Sequence, residues 1–202
     1  MRELIVNTFM TLDGVMQAPG GPEEDESGGF TYGGWSVTYW DDQMNQIMGE
    51  TMSTPFDLVL GRKTYDTFAA YWPNAGDQLG AKPLNEATKY VASRGRPTLE
   101  WQTSVLIEGG DASDGVAALK KQDGPQLQVH GSGNLIQTLL RRNLVDTYRL
   151  WIFPLVIGSG KRLFSDGTIP AALKLVDNKI STTGVMIGTY KPAGEIVTGS
   201  FA

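Results

Sequence analysis

The sequence predicts an α/β protein with a mixed, mostly parallel sheet, antiparallel C-terminal strands and helices on both faces. Two patterns predict it. Short apolar runs alternate with segments of helical periodicity over most of the chain, and the last apolar runs follow one another with no helix between them. The chain has 202 residues, and no internal repeat or low-complexity linker divides it. We therefore expect one domain spanning residues 1–202.

The first third of the chain supplies a strand, a long loop, and a helix–strand–helix unit. The loop contains six glycines and four acids, which interrupt all periodicity, and helical spacing begins at Trp40, with Asp41 and Asp42 suited to a helix N-terminus. The loop is either a mobile lid over a site or a solvated insertion. The elements expected here are a strand at 4–6, the loop at 20–34, a helix at 41–52, a strand ending at Gly61 and a helix at 63–70.

The remainder of the chain continues the alternation and then departs from it. A polar start, two apolar positions, lysines and a final glycine predict a short helix within 111–124. The other expected elements are strands at 89–93 and 104–108, a strand ending at His130, a helix carrying Arg141 and Arg142 in its last turn, an apolar strand at 149–157, and two final strands at 173–176 and 184–190.

Composition excludes several classes of function. The net charge of -5 disfavours nucleic acid and anionic membranes as partners, because both require a positive field. The absence of cysteine excludes disulfides, thiolate nucleophiles and Cys-ligated metals, and a single histidine, His130, excludes a histidine-rich metal site. No apolar run is long enough to span a bilayer, and the N-terminus lacks the apolar core of a signal peptide, so we expect a cytoplasmic protein.

The stretch "LVLGRKTYDTF" is the first candidate for a phosphate site. A strand ends at Gly61, and Arg62, Lys63 and Thr64 then fall in the first turn of a helix, where main-chain N–H groups are free. Cations, a hydroxyl and free N–H groups are what a phosphate requires. The alternative is a helix capped by Thr64 with both cations in solvent.

A second junction of this kind lies at "VHGSGNLIQTLL". Gly131 and Gly133 permit close approach of a ligand to the backbone, although Ile136 takes the place of the third glycine of a dinucleotide fingerprint. Two such junctions in an acidic protein indicate a dinucleotide, and Arg94 and Arg96, just after a strand, favour one with an additional 2′-phosphate. His130 itself is expected to be structural rather than catalytic.

Five stretches carry a resemblance to a known family: "TFMTLDGVMQAP", "LVLGRKTYDTFAAYWP", "KYVASR", "VHGSGNLIQTLLRRNLVDTYRLWIFPLVIGSGKRLF" and "STTGVMIGTYKP". In this order and spacing, the chain from Glu3 to Pro192 resembles the dihydrofolate reductase superfamily. It is most similar to the C-terminal reductase domain of bacterial bifunctional riboflavin-biosynthesis deaminase-reductases. The resemblance implies a dihydrofolate reductase-like three-layer fold, NADPH bound across the strand ends, and hydride transfer to a small heterocycle.

The resemblance also implies roles for individual residues. It assigns Gly61, Arg62, Lys63 and Thr64 to the 2′-phosphate and pyrophosphate, Ser93 and Arg94 to the adenosine ribose, and Gly131, Ser132, Gly133, Asn134 and Leu135 to the pyrophosphate and nicotinamide side. Asp13, in "TLDG", is the implied residue for orienting substrate or relaying a proton. Beside the long loop, Trp35 and Trp40 are the tryptophans expected to line a substrate pocket.

One departure from true dihydrofolate reductases concerns the carboxylate that holds the pterin. The position that matches it is Asn45, with Asp41 and Asp42 a turn away, so folate reduction is not implied. The expected function is an NADPH-dependent reductase acting on a pterin or on a pyrimidine similar to 5-amino-6-(5-phosphoribosylamino)uracil. The alternative is a catalytically silent NADP(H) sensor or interaction module. The family also suggests a homodimer, with the strand at 149–157 in its interface.

Overall fold

The structure, a computed structural model, describes residues 1–107 and 111–201. Its strands are β1 Leu4–Thr11, β2 Phe56–Gly61, β3 Lys89–Ala92, β4 Ser104–Leu106, β5 Gln126–His130, β6 Thr147–Phe153, β7 Leu173–Ile180 and β8 Met186–Pro192. Its α-helices are α1 Asp42–Ser53, α2 Arg62–Tyr71, α3 Ala81–Glu86, α4 Ala112–Lys121 and α5 Gly133–Arg141. Two short 3₁₀ turns lie at Val37–Tyr39 and Trp72–Asn74.

The strands form one sheet in the order β4-β3-β2-β5-β1-β6-β8-β7. The pairs from β4 to β6 are parallel, whereas β6–β8 and β8–β7 are antiparallel. Parallel neighbours need a crossover, and helices supply it in most of these connections; the antiparallel pair β7–β8 needs only a short turn. The predicted mixed sheet with antiparallel C-terminal strands is confirmed.

Helices pack on both faces of this sheet, because successive residues of a strand point to opposite faces. In β2, Val59 belongs to the apolar cluster that contains α4 and α5, whereas its neighbours Leu58 and Leu60 belong to a cluster with α2 and α3. On the latter face, α1 packs over β6 and β8 through Met44, Ile47 and Met48. The expected three layers are therefore present.

Several element boundaries differ from the sequence prediction. β1 continues to Thr11 because both its edges are paired, to β5 and β6, so polar residues beyond Val6 remain in the sheet. Helix α3 was not predicted; it has only six residues, contains Pro83, and starts from a left-handed Gly80. The strand expected at 104–108 is observed as Ser104–Leu106, and its predicted last residue, Glu108, lies outside the described residues.

Candidate functional site

Three strand ends meet at one edge of the sheet. Strands β3, β2 and β5 are parallel neighbours, so Ser93, Gly61 and His130 lie at or next to their carboxyl ends on the same side. A cleft of about 1490 Å³ opens there, and every residue that the resemblance assigned to the cofactor lines it. The predicted cofactor residues, which come from three separate stretches of the chain, are thus gathered around one cavity.

The turns after β2 and β5 are joined by hydrogen bonds. Ser132 Oγ accepts from the Gly61 N–H at 2.9 Å and donates to the His130 carbonyl at 3.1 Å, while the Ser132 N–H donates to Thr64 Oγ1 at 3.0 Å. Gly131 has φ +54°, and a Cβ there would meet the Thr64 side chain at 3.3 Å. Thr64 therefore connects the two turns. It does not cap its own helix, which was the alternative considered from the sequence.

Helices α2 and α5 begin at the cleft without a side-chain cap. The N-cap of α2 is Gly61, and the N-cap of α5 is Ser132, whose Oγ is bonded to Gly61 instead. By contrast, the Asp41 carboxylate caps α1 and the Asp111 carboxylate caps α4. Free N–H groups at a helix start carry a partial positive charge. Two uncapped starts side by side suit an extended anion such as a pyrophosphate.

The cationic side chains predicted to bind phosphate differ in their ion-pair partners. Arg62 Nε donates to both carboxylate oxygens of Asp66, at 2.6 and 2.8 Å, which leaves its terminal nitrogens free to bind a ligand. Lys63 instead forms an ion pair with Asp25 of the long loop. Among the described residues that line the cleft, Arg94 is exposed and forms no ion pair. Arg62 and Arg94 therefore keep unpaired guanidinium nitrogens for a ligand, whereas the Lys63 ammonium is engaged by Asp25.

The acidic loop, residues 20–34, is tied to both sides of the cleft. Its Asp25 carboxylate accepts from Lys63 of α2 and, at 2.5 Å, from Lys161 Nζ. The Gln17 side-chain amide donates to the carbonyls of Asp25 and Ser27, both at 2.9 Å. Burial raises the pKa of Asp25, but the hydrogen bonds from both lysines outweigh it and hold that pKa far below its usual value.

Asp13 lies outside this cleft, against the segment that follows β6. Its carboxylate accepts from the N–H groups of Ile157 and Gly158, at 3.2 and 2.8 Å, and from Thr11 Oγ1 at 2.5 Å. Burial raises the pKa of Asp13, but these hydrogen bonds outweigh it and lower that pKa to about 2. These hydrogen bonds hold two loops together, and the proton relay that the resemblance implied for Asp13 stays a prediction.

The two candidate tryptophans occupy different environments. Trp40 lines the cleft, stacks on Trp151 with 5.9 Å between ring centroids, and donates from Nε1 to Asn45 Oδ1 at 2.7 Å. Trp35 is 8% exposed and donates from Nε1 to the Gln17 carbonyl at 2.7 Å. Trp35 is outside the cleft lining and anchors the loop to the core instead.

Two residues at the cleft, Asn7 and Glu24, were missed by sequence reasoning. Asn7 of β1 is in register with His130 of β5, and both line the cleft, as does Glu24 of the acidic loop. Burial raises the pKa of Glu24 above its ordinary value, against hydrogen bonds from two glycine N–H groups. Burial, with a smaller effect of Arg149, lowers the pKa of His130 to about 4, so its imidazole is neutral at physiological pH.

The described residues hold neither a metal cluster nor a membrane-spanning helix. Among residues 1–107 and 111–201, no cluster of three or more histidine, aspartate and glutamate side chains has the arrangement of a metal site. Within the same ranges, every helix is too short or too polar to cross a bilayer.

Comparison with known proteins identifies the family. The model of the RibD C-terminal domain matches residues 2–187. The uncharacterized protein YyaP of Bacillus subtilis (strain 168) is 31% identical over 198 residues, covering 94% of each chain. Among solved structures, a putative riboflavin biosynthesis protein from Shewanella sp. PV-4 aligns with a TM-score of 0.62 at 18% identity, over 95% of this chain and 99% of that one.

A dihydrofolate reductase from Enterococcus faecalis, solved in complex with NADP(H), also has the same fold. It aligns with a TM-score of 0.57 at 15% identity, over 94% of this chain and 96% of that one. The family model covers nearly the whole chain, and the observed mixed sheet is that expected from the resemblance. The chain belongs to the RibD C-terminal domain family.

Proposed function

We propose that this protein is an NADPH-dependent reductase that transfers a hydride to a small heterocyclic substrate. The observation that carries the proposal is the pair of uncapped helix starts, α2 and α5, joined through Ser132 at the edge of the cleft. This arrangement supplies free N–H groups for a pyrophosphate. Arg62, with free terminal nitrogens, and Arg94 supply the charge that favours a 2′-phosphate. The family membership supports the same activity.

The residues present fit a nicotinamide dinucleotide, which supplies the hydride when bound. The chain binds and orients cofactor and substrate in one cleft, and residues of the acidic loop form part of its lining. The product anion needs a proton, and Glu24 is our candidate donor, because it lines the cleft and burial raises its pKa. Asp13 is less suited, since its pKa of about 2 leaves it ionised.

The experiment is transfer of deuterium from [4-²H]NADPH to a panel of pterin, pyrimidine, quinone and imine compounds. Transfer to any member supports the reductase. Saturable quenching of tryptophan fluorescence by NADPH, with no transfer to any member, would instead support the silent sensor. A cytoplasmic location and a homodimer are further parts of the proposal.

The cofactor assignment predicts the effect of Arg62→Ala. Loss of a charge-assisted contact with the 2′-phosphate should raise the Kd of NADPH about ten-fold, or about 1.4 kcal/mol, and that of NADH less than about two-fold. Arg142→Ala is the matched control, because it also removes an exposed arginine paired with an exposed aspartate, Asp114, but one that lies outside the cleft lining. Equal effects of Arg62→Ala on both cofactors would contradict the assignment.

A further inference from the structure

The part of the cleft away from the helix starts is a gap between two apolar clusters on one face of the sheet. One cluster lies under α1 and the other under α2 and α3, and Met52 packs against both. Asn7 and His130, side by side in adjacent strands, lie in the sheet at this gap. Phe9, Met48 and Phe68 also line it. A flat ring is the shape that such apolar walls accommodate.

The strand residues Asn7 and His130 form the floor of this gap, and the side chain of Asn7 carries a hydrogen-bond donor that the described part of the chain leaves without an acceptor. The residue is 3% exposed, and its Oδ1 accepts from Trp151 Nε1 at 3.1 Å. An indole N–H only donates, so this bond fixes which end of the amide is oxygen. The other end, Nδ2, is buried and finds no acceptor among the described residues. Buried donors are normally paired, which points to an acceptor atom on a ligand.

The charged groups at the rim of the gap are already paired. The side chains of the strands and helices that line the gap itself are neutral, including Asn45 at the position where the resemblance implies a carboxylate. At the rim, Lys63 and Lys161 already share the carboxylate of Asp25, and Arg162 pairs with that of Asp13. A phosphate that reached these two ammonium groups would have to displace Asp25 and then lie beside it, at the cost of repulsion between like charges.

We infer that the substrate is an uncharged, unphosphorylated planar heterocycle whose carbonyl oxygen or ring nitrogen accepts a hydrogen bond from Asn7 Nδ2. This inference rests on the proposed function and narrows it. Of the two substrate classes that the resemblance implies, it disfavours the phosphoribosyl pyrimidine and retains neutral lactam rings such as pteridinones. It makes Asn7 a specificity-determining residue, one that contacts the substrate rather than the cofactor.

The test compares ligands that differ by one phosphate and enzymes that differ by one donor. Riboflavin and riboflavin 5′-phosphate form the matched pair, and lumazine is a smaller neutral ring; binding to the NADP⁺-saturated full chain is measured by calorimetry. We expect riboflavin and lumazine to bind, and riboflavin to bind at least about ten-fold more tightly than its phosphate. Asn7→Asp keeps the acceptor for Trp151 but loses the donor, and should weaken both neutral ligands at least about ten-fold with NADPH affinity unchanged.

Asp25→Asn tests the charge argument separately. It releases both lysines and should raise the affinity for riboflavin 5′-phosphate about ten-fold relative to riboflavin. Tighter binding of the phosphate by the unaltered protein, absence of binding by both neutral rings, or unchanged affinities in folded Asn7→Asp would each overturn the inference. Asn7→Ser, which retains a hydroxyl for Trp151, replaces Asn7→Asp if the latter does not fold. Failure of NADPH itself to bind would overturn the proposed function instead.

Discussion

Asp13 illustrates at the residue scale how a conspicuous acid can serve structure. Its carboxylate accepts hydrogen bonds from the backbone N–H groups of Ile157 and Gly158 and so joins the turn after β1 to a distant segment. Gly158 is 145 positions away from Asp13 in the chain. A carboxylate with several N–H and O–H donors has a lowered pKa and is stabilised in its charged form. The sequence shows that an acid follows Thr11, but the donors that engage it come from a distant segment.

We predict that Asp13→Asn lowers the free energy of unfolding by about 1–2 kcal/mol near neutral pH, because an amide replaces an oxygen acceptor with a donor. The folded pKa of about 2 lies below the ordinary 3.8, so the carboxylate stabilises the fold above about pH 4, and this contribution is lost as the pH falls toward 2. Urea unfolding of both proteins at pH 7, 4 and 2 measures the difference.

The exposed Asp166→Asn is the control for Asp13→Asn and should change stability by less than about 0.5 kcal/mol. Under the structural role, Asp13→Asn retains most of the rate of hydride transfer. If Asp13→Asn lowered the rate more than about 100-fold without changing stability, Asp13 would instead act as the proton relay.

The sequence could predict mainly those residues of the candidate site that lie at or near the end of a strand. Gly61, Arg62 and Gly131 could be found because each lies at or directly after the end of a strand, and the ends of parallel strands meet at one edge. Asn7 could not be found, since its significance depends on Trp151, which is 144 positions away. Glu24 stood in an acidic run that reads as solvated, and its burial is a property of the fold.

At the scale of elements, the junction of the two strand–helix turns is the feature that shapes the site. Gly131 adopts φ +54°, and a Cβ at this position would lie 3.3 Å from the Thr64 side chain. Ser132, also with positive φ, bonds to both turns. The two helix starts are thereby fixed relative to each other, as a rigid anion site requires.

Gly131→Ala should destabilise the fold and weaken NADPH. The left-handed conformation costs a non-glycine residue about 1–2 kcal/mol, and the contact with Thr64 at 3.3 Å adds to it. Gly76→Ala is the matched control, since Gly76 has φ +59° with nothing within 4 Å. Thermal unfolding and NADPH titration of both variants should show similar backbone strain but a higher NADPH Kd only for Gly131→Ala. Equal NADPH affinity in the two variants would contradict the role of this junction.

Element boundaries show where sequence patterns lose information. The helices at α1, α2, α4 and α5 were predicted because each combines apolar periodicity with a clear start or stop. Helix α3 carries neither signal strongly, and Leu84 is held by the cluster with Phe56 and Trp101 rather than by local preference. The extent of β1 likewise depends on its two neighbouring strands.

At the scale of the whole molecule, the outer strands bear on assembly. The strand predicted for a homodimer interface, 149–157, contains most of β6, which lies between β1 and β8 with both edges paired. Exposed apolar side chains lie on β7 and β8, where Ile180 is 58% and Met186 43% exposed and the two residues are in register, and Val156 of the predicted stretch is 70% exposed. β7 is also an edge strand, open to a further strand.

The homodimer stays a proposal, and these strands indicate where to test it. Sedimentation equilibrium should give twice the chain mass of 21.9 kDa for the unaltered protein. The double variant Ile180→Lys and Met186→Lys should give the mass of one chain, because buried lysines oppose association. Val197→Lys, near the C-terminus, is the control and should remain a dimer. A single-chain mass for the unaltered protein at micromolar concentration would contradict the proposal.

The general architecture was predictable because each layer has its own periodic signal and because the motifs occur in a family order. The assembly and the substrate were not predictable, since both depend on surfaces formed by distant segments.

The acidic loop also affects how NADPH binding responds to salt. Because Asp25 already neutralises Lys63 and Lys161, these two lysines add little to the positive field of the cleft, and the attraction of NADPH as proposed depends on Arg62 and Arg94. Salt then screens fewer attractive charges, so the affinity should depend on ionic strength less steeply than at a site where all four cations are free.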